Sequence, residues 1–213
     1  MTFERTTKDR IMTKKIFAFT LLLSFFISIT SLAQNSPSPI RVRGVIEQVD
    51  AQSITIKERR GEIIKIAMPP NLNITEVYPI KMSDIQENSY IGTATITSSS
   101  GRLEALEVLV FPETMRGTGE GHYAWDLMPG SMMTNANVSQ LKTIGNGREL
   151  KLEYKGGSQV VYVPESAPIV TFRPGSPALL VSQANAILTV VEKDGQVNLL
   201  RITVGKDGFK PPM

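Results

Sequence analysis

The stretch Asn73–Ile96, NITEVYPIKMSDIQENSYIGTATI, has a counterpart near the end of the chain, Pro168–Val191, PIVTFRPGSPALLVSQANAILTVV. In both stretches a short strand pattern, a turn region and a second strand pattern follow at equal spacing. The runs from Ile74 to Ile96 and from Ile169 to Val191 each contain 23 residues. A shared order of elements at a fixed spacing indicates an internal repeat. The two stretches therefore predict that the chain contains two similar units.

The similarity extends to both sides of these stretches. Ahead of each one lies a pair of alternating apolar and polar runs around a Gly-containing turn, which predicts a hairpin. Behind each one lies a further strand pattern that begins with Gly101 or Gly195. The paired segments are SITIKE and EIIKIAM around Arg60-Gly61, RELKLEY and QVVYVP around Gly156-Gly157, and GRLEALEVLV against GQVNLLRITV. YIGTATITS and LEALEVLVF predict a hairpin around Ser100-Gly101.

These patterns predict an all-β protein made of two tandem small barrels, OB-like or SH3-like, of five to six strands each. A flat sheet of this size exposes its edges and one apolar face, and closure into a barrel removes both. The predicted organisation is a signal peptide at 1–33, a leader at 34–39, a first barrel unit at 40–111, a Gly-rich connection without helix or strand at 112–131, a second barrel unit at 132–205 and a tail at 206–213.

Strand alternation also predicts the core and two local features. Gly44 is expected to form a bulge, and Ser83 is expected to cap a short helical turn. The predicted core consists of aliphatic strand positions in both units: Val45, Ile54, Ile56, Ile64, Ile66, Ile96, Leu106, Val108, Leu150, Leu152, Val161, Val163, Leu188, Val190, Leu200 and Ile202.

The N-terminal residues are typical of an export signal. Lys14 and Lys15 precede an apolar run at Ile16–Thr30, and the small residues of Ser31–Ala33 fit cleavage before Gln34. Either Met1 or Met12 fits as the start. The apolar run is short for a permanent anchor, and with no cysteine in the chain a lipid anchor is excluded. We expect a periplasmic or secreted bacterial protein without a membrane span after cleavage.

The charge distribution argues against nucleic acid as a partner. The chain carries 23 Lys and Arg residues and 20 Asp and Glu residues, but residues 1–33 contain five of the basic and two of the acidic ones. The remainder is therefore neutral, with 18 of each, and offers no overall basic field. A local basic face formed by Arg41, Arg43, Lys57, Arg59, Arg60 and Lys65 would instead suit an anionic polymer of the envelope.

The connection holds the rare residues of the chain. The segment Arg116–Ser131, RGTGEGHYAWDLMPGS, contains the one His and the one Trp. If the segment is extended, the rings of Tyr123 and Trp125 face the same side, where they either cover the barrel ends or form a stacking platform. The candidate binding residues are Arg116, Glu120, His122, Tyr123, Trp125 and Asp126. Arg116 is expected to pair with Glu113 or Glu120, and His122 with Asp126 or Glu120.

Most chemical interpretations of this segment lack a necessary partner. The run Gly117, Gly119 and Gly121 opens no helix, so it does not form a phosphate loop. One His and no Cys provide too few ligands for a typical zinc site, and no motif nominates a nucleophile. We therefore predict no catalytic residues, no metal and no cofactor.

The chain resembles an uncharacterised family of exported bacterial proteins, grouped as a domain of unknown function. The resemblance is carried by ALEVLVFPETMRGTGEGHYAWDLMPGSMMTNANV at Ala105–Val138 and by the final RITVGKDGFKPPM at Arg201–Met213. It implies a signal peptide and two small β-rich units, and it implies no activity.

Two functions follow as hypotheses. The first is an exported, non-catalytic binding or structural module of the cell envelope, whose partner is an envelope protein or polymer. The alternative is a hydrolase or a metal-dependent site centred on His122 and Asp126. Convergence of Glu120, His122 and Asp126 on one accessible cavity would favour the alternative.

The signal peptide generates a direct prediction. We expect the protein recovered from the periplasm or medium of an expressing bacterium to begin at Gln34, because cleavage follows the small residue Ala33. N-terminal sequencing measures this. Recovery of a chain that still carries Ile16–Thr30 would contradict it.

Overall fold

Alternating β-branched and polar residues form strands through nearly the whole of the described chain. The computed structural model describes residues 38–193 and 195–212, and Lys193 only in its backbone. The predicted signal peptide and most of the leader lie outside the described residues. Thirteen strands follow one another within them: β1 (Ile40–Val49), β2 (Ser53–Glu58), β3 (Ile63–Ala67), β4 (Asn73–Pro79), β5 (Tyr90–Thr97), β6 (Leu103–Val110), β7 (Gly121–Ala124), β8 (Met132–Ile144), β9 (Gly147–Tyr154), β10 (Gly157–Val163), β11 (Ile169–Pro174), β12 (Asn185–Lys193) and β13 (Gln196–Gly205).

Short 3-10 turns lie between successive strands or after the last one, at Met82–Asp84, Glu113–Met115, Pro177–Leu179 and Lys206–Gly208. No helix in the described residues has the length and apolar character that crossing a membrane requires. The all-β prediction is confirmed.

The predicted hairpins are also confirmed. Strand β2 pairs with β3, β5 with β6, and β9 with β10, each time antiparallel. The turns contain glycines with positive φ where the sequence places them, at Gly61, Gly101 and Gly156. Only glycine adopts this backbone conformation without a steric cost, which is why these positions punctuate the strand pattern.

Two barrels in tandem are not confirmed, because the thirteen strands form one large mixed sheet. Its order is β10-β9-β8-β5-β6-β11-β4-β13-β12-β1-β2-β3, with β7 added against β8. The strands of the two predicted units are interleaved in this order. The hairpin β12–β13 lies beside β1, and the hairpin β5–β6 lies beside β8. The described residues accordingly form a single compact unit.

Two further parallel pairings, β13–β3 and β10–β6, link strands that are distant in the sheet order. They close two circuits of five strands, which we call ring A (β1, β2, β3, β13, β12) and ring B (β5, β6, β10, β9, β8). Each ring therefore combines three strands from one half of the chain with a hairpin from the other half. Strands β4 and β11 pair antiparallel with each other and join ring A to ring B.

In this arrangement, which we call the exchange of hairpins, each half of the chain contributes a hairpin to the ring of the other half. The apolar core follows the same arrangement. One cluster fills ring B around Val108, Leu150 and Val161, and a second fills ring A around Ile54, Leu188 and Ile202. A third, smaller cluster lies where the rings are joined and contains Val77, Leu109 and Val170, with Phe111, Phe172 and Phe209 packed against it. Each ring core needs side chains from both halves of the chain.

Most of the predicted core positions are buried. Fully buried are Ile54, Ile56, Ile66, Val108, Leu150, Leu152, Val161, Val163, Leu188, Val190 and Ile202, and half-buried are Val45, Ile64, Ile96 and Leu106. The prediction that Leu200 belongs to the core is wrong, since 47% of this residue is exposed. A register shift between β12 and β13 pairs Val190 with Leu199, so Leu199 takes the buried place instead.

Two local predictions need correction. Strand β1 bulges between Ile46 and Gln48, not at Gly44. Gly44 is instead a point of close approach, where a Cβ atom would lie 2.1 Å from the carbonyl oxygen of Lys57. The turn Met82–Asp84 begins after Lys81, not at Ser83, because the Lys81 backbone N–H donates to the Asp84 carboxylate at 2.8 Å.

The connection 112–131 is also more ordered than predicted. It contains a 3-10 turn and the strand β7, which pairs with β8 from Gly121↔Asn135 to Ala124↔Met132. The sequence does not reveal β8, since MMTNANVSQLKTI lacks a clear alternation of apolar and polar residues.

The exchange of hairpins predicts that neither half of the chain folds alone. Fragments 34–131 and 132–213 each lack the partner hairpin of their own ring, so we expect weak strand signal and no cooperative melting in circular dichroism. Mixing the fragments should restore both, with the intact chain as the reference. Cooperative melting of one isolated fragment would contradict the interleaved pairing.

Candidate functional site

Strand β7 directs its aromatic side chains to one side. Tyr123 and Trp125 are two positions apart, and their rings meet edge to face with centroids 6.2 Å apart. Both line a cavity of about 240 Å³, whereas His122, the residue before Tyr123, contacts other residues. The prediction that the aromatic rings of Tyr123 and Trp125 face the same side is confirmed.

The cavity lies between ring A and ring B, and both contribute to its wall. Arg41 of β1 and Thr189 of β12 come from ring A, and Gly92 of β5 and Asn135 of β8 come from ring B. The aromatic part of the wall consists of Phe111, Tyr123, Trp125 and Phe172. Phe111 and Phe172 also belong to the cluster that joins the rings, so this wall is held by packing.

Two guanidinium groups line the same cavity. Arg41 lies over the Trp125 ring, with 3.9 Å between its Cζ and the ring centroid. Arg201 of β13 is the second, and it is exposed. Of the described residues that line the cavity, none is acidic. The wall is therefore aromatic and apolar, with two positive charges.

Asn135 connects the cavity wall to the chain ahead of β7. Its Nδ2 donates to the carbonyl oxygens of Thr118 and Gly119, at 3.2 and 3.1 Å, and to the Tyr123 hydroxyl at 3.1 Å. Its Oδ1 is buried and has no hydrogen-bond partner among the described residues. The same is true of Nε1 of Trp125. Buried polar atoms are seldom left unpaired.

A buried arginine fixes the end of β7. Arg43 is 7% exposed and donates to both carboxylate oxygens of Asp126, at 2.8 and 3.3 Å. Arg41 adds an ion pair with the same carboxylate at 3.7 Å. Burial raises the pKa of Asp126, but the hydrogen bond and charge of Arg43, together with Arg41, outweigh it and lower the pKa below its usual value. Asp126 thus stays ionised and ties the connection to β1.

The residues suggested for catalysis or metal binding have different partners. His122 Nδ1 lies 2.9 Å from the Thr134 hydroxyl, and its ring stacks on Tyr154. Glu120 accepts a hydrogen bond from the Lys155 backbone N–H at 2.9 Å. The predicted pairing of His122 with Asp126 or Glu120 is therefore wrong. No three His, Asp or Glu side chains in the described chain are grouped to hold a metal ion.

Arg116 has the partner that the sequence predicts. Its Nε and Nη2 donate to the two carboxylate oxygens of Glu113, at 2.5 and 2.7 Å. It also donates to the carbonyl oxygen of Asn88 at 2.9 Å and to the Asn137 side chain. Because the pair is exposed, it contributes little to stability by itself. It ties the 3-10 turn to the strand β8 and does not line the cavity.

Of the candidate binding residues only Tyr123 and Trp125 line the cavity, so sequence reasoning misses most of its wall. Arg201, Asn135 and Phe111 carry no local motif, and Arg201 also lies far from Trp125 in the chain. One signal was available: in the alignment of GRLEALEVLV with GQVNLLRITV, Arg201 stands at the position of Glu107. Two opposite charges at matching strand positions mark a place where the two halves differ in chemistry.

Glu107 itself is a buried carboxyl group in ring B. It is 1% exposed, and neither carboxylate oxygen has a hydrogen-bond partner among the described residues. Burial raises the pKa of Glu107 to about 8, and the charge of Arg43 opposes this shift only in part. The folded protein therefore holds a neutral carboxylic acid here over much of the neutral range.

This carboxyl group predicts a falling stability with rising pH. Between about 4.5 and about 8 Glu107 is protonated in the folded chain and ionised in the unfolded chain, so folding takes up a proton. The free energy of unfolding should fall across this window, by up to about 1.4 kcal/mol per pH unit from this group. Denaturant titrations of Glu107→Gln should show this part of the slope removed.

The matched control is Glu104→Gln on the same strand, where the carboxylate pairs with Arg102 near the surface. Its pH slope should equal that of the unmodified chain. An unchanged slope in Glu107→Gln would show that Glu107 is not the group responsible.

No family model, curated protein or solved structure matches this chain. The resemblance to a family of exported proteins stays a prediction. The candidate site is therefore defined by its own geometry, as a cavity between two rings of strands with aromatic walls and two arginines.

Proposed function

We propose that the protein is an exported, non-catalytic binding module of the cell envelope that takes a small ligand into the cavity between rings A and B. The observation that carries this proposal is the cavity itself, where four aromatic side chains and two guanidinium groups line one space. Ligand sites are typically concave and largely apolar, with a few polar groups that fix orientation. This cavity has that character, and its volume of about 240 Å³ lies just below the usual range of about 300 to 1,000 Å³.

The construction of the cavity supports binding over a purely structural role. A tightly packed joint would fill the space between the rings, because protein interiors leave few voids. Here a space of about 240 Å³ is kept open, and its wall residues Asn135 and Trp125 each carry a buried polar atom without a partner. A bound molecule would fill the space.

The hydrolase or metal-dependent alternative gains no support from the contacts of its residues. His122 bonds to the Thr134 hydroxyl and Asp126 to Arg43, so the two side chains on which this alternative is centred do not pair with each other. Asp126 serves as the counter-ion of two arginines, which leaves it poorly suited to orient an imidazole.

Export is part of the proposal and rests on the signal-like segment at 1–33. The partner in the envelope remains a protein or polymer, and the basic face is one place for it. Arg41, Arg43, Arg59 and Arg60 line a surface groove beside Asp126, and this groove shares Arg41 and Trp125 with the cavity. We propose no nucleic acid and no cofactor.

We also propose that rings A and B are two small barrels that arose by duplication of one unit and exchanged their second hairpins. Matching pairings support this: β1–β12 corresponds to β8–β5, and β13–β4 corresponds to β6–β11. The cavity would then lie where two copies of the unit meet, with chemically different walls.

Fluorescence of the single tryptophan tests the binding proposal, because Trp125 is in the cavity wall. Titration with small aromatic molecules should give a saturable change in emission. Thr189→Phe, which places a ring in the cavity, should abolish the change, whereas Thr97→Phe, an equal substitution at an exposed strand end, should leave it intact. Equal responses of both variants would contradict binding in the cavity.

A further inference from the structure

We propose that the ligand of this cavity is a small organic carboxylate with a flat apolar body, whose carboxylate is bound by Arg41 and Arg201. This inference rests on the proposed function, since it names the class of molecule that the cavity takes. It follows from the charge of the wall, the state of the two arginines and the nature of the remaining lining.

The charge of the wall is unbalanced. Arg41 and Arg201 both line the cavity, and no acidic residue among the described ones does. Asp126, which pairs with Arg41, is not part of this wall, so neither arginine has a counter-ion among the lining residues. An anionic ligand provides that counter-ion, whereas a cationic ligand would add a third positive charge.

Arg201 is the arginine with binding capacity to spare. No carboxylate forms an ion pair with it within the described chain, whereas Arg41 shares Asp126 with Arg43. Burial, followed by the charges of Arg43 and Arg201, lowers the pKa of Arg41 despite the opposing effect of Asp126. Thr189 is the register partner of Arg41 on one side and of Arg201 on the other, so the two arginines lie in one cross-strand row, where a carboxylate can be placed between their guanidinium groups.

The form of the anionic group follows from guanidinium geometry. A planar guanidinium donates two parallel hydrogen bonds to a planar carboxylate, which fixes the orientation of the ligand as well as binding it. Arg41 is already held in place by stacking on Trp125. Such a pre-positioned donor loses less conformational entropy on binding than a mobile one.

The remaining wall describes the body of the ligand. Phe111 and Phe172 meet edge to face with centroids 6.4 Å apart, and Tyr123 and Trp125 form a second aromatic pair. Leu109, Met133 and Ile187 complete an apolar lining. These surfaces suit a flat ring or a short branched chain, and the cavity volume of about 240 Å³ limits it to a small molecule.

The test compares two molecules of nearly identical shape, 3-phenylpropionate and its neutral amide, 3-phenylpropionamide. Neither absorbs where tryptophan is selectively excited, so Trp125 emission reports binding of both. We expect the carboxylate to bind at least about tenfold more tightly than the amide, as a charge-assisted bond to a guanidinium would give. The preference should weaken with added salt, while affinity for the amide should not.

Variants then locate the charge. Arg201→Met should remove most of the preference for the carboxylate over the amide, because the remaining Arg41 already shares Asp126, and Arg201→Lys should restore part of it. Arg102→Met removes an exposed arginine that does not line the cavity and should change neither affinity. Because Arg201 is exposed, we expect its variants to fold, and circular dichroism checks this. The salt dependence of the unmodified chain provides a readout that requires no variant.

The outcomes separate this inference from the proposed function. Equal affinity for carboxylate and amide would overturn the anionic ligand but leave binding in the cavity standing. A carboxylate preference that survives Arg201→Met would overturn the role of Arg201. Absence of any saturable Trp125 response to either molecule, or to other small aromatic molecules, would overturn both proposals.

Discussion

The antiparallel pairing of β1 with β12 is the constraint on which the rest of the molecule depends. It runs from Ile40↔Val190 to Val45↔Asn185 and joins the beginning of the described chain to its last hairpin. Through it, the core of ring A receives Leu188 and Ile202, without which Ile54 and Ile56 would have no opposing layer. It also places Arg41 opposite Thr189, so that both residues line the cavity between the rings.

The sequence predicts the elements of this fold well and their partners poorly, for a physical reason. Strand identity and tight turns are local properties, set by alternation at positions such as Ile54 and Ile56 and by glycines such as Gly61. The partner of a strand is decided by which faces and edges meet in three dimensions. Hairpins β5–β6 and β12–β13 each complete the ring of the other half, and the alternation within a hairpin does not specify which neighbouring strand it pairs with. Leu200 fails for a related reason, since a register shift of one residue moves a side chain to the other face.

The sequence predicts only the part of the site that contains the rare residues of the chain. Tyr123 and Trp125 attract attention by composition and do lie in the cavity wall. Arg201, Asn135 and Phe111 are ordinary strand residues that become part of a site only because ring A and ring B meet there. Asp126 illustrates the limit most clearly, because spacing along the chain suggests His122 as its partner, whereas the fold brings Arg43 from 83 positions away. The counter-ion of a charged residue between two rings is therefore decided by which residues the strand pairing places next to it.

The exchange of hairpins also determines when the chain can fold. Ring A cannot close until β12 and β13 exist, so its first three strands must wait for nearly the entire sequence to be made. Pairings between strands so distant in the sequence lose loop-closure entropy before any stabilising contact forms. Folding is therefore slow, and an incomplete chain does not reach the native state. This delay is compatible with the export that we propose, because a chain that is still unfolded can pass through an export channel. The topology postpones the native state until the last strand has been released.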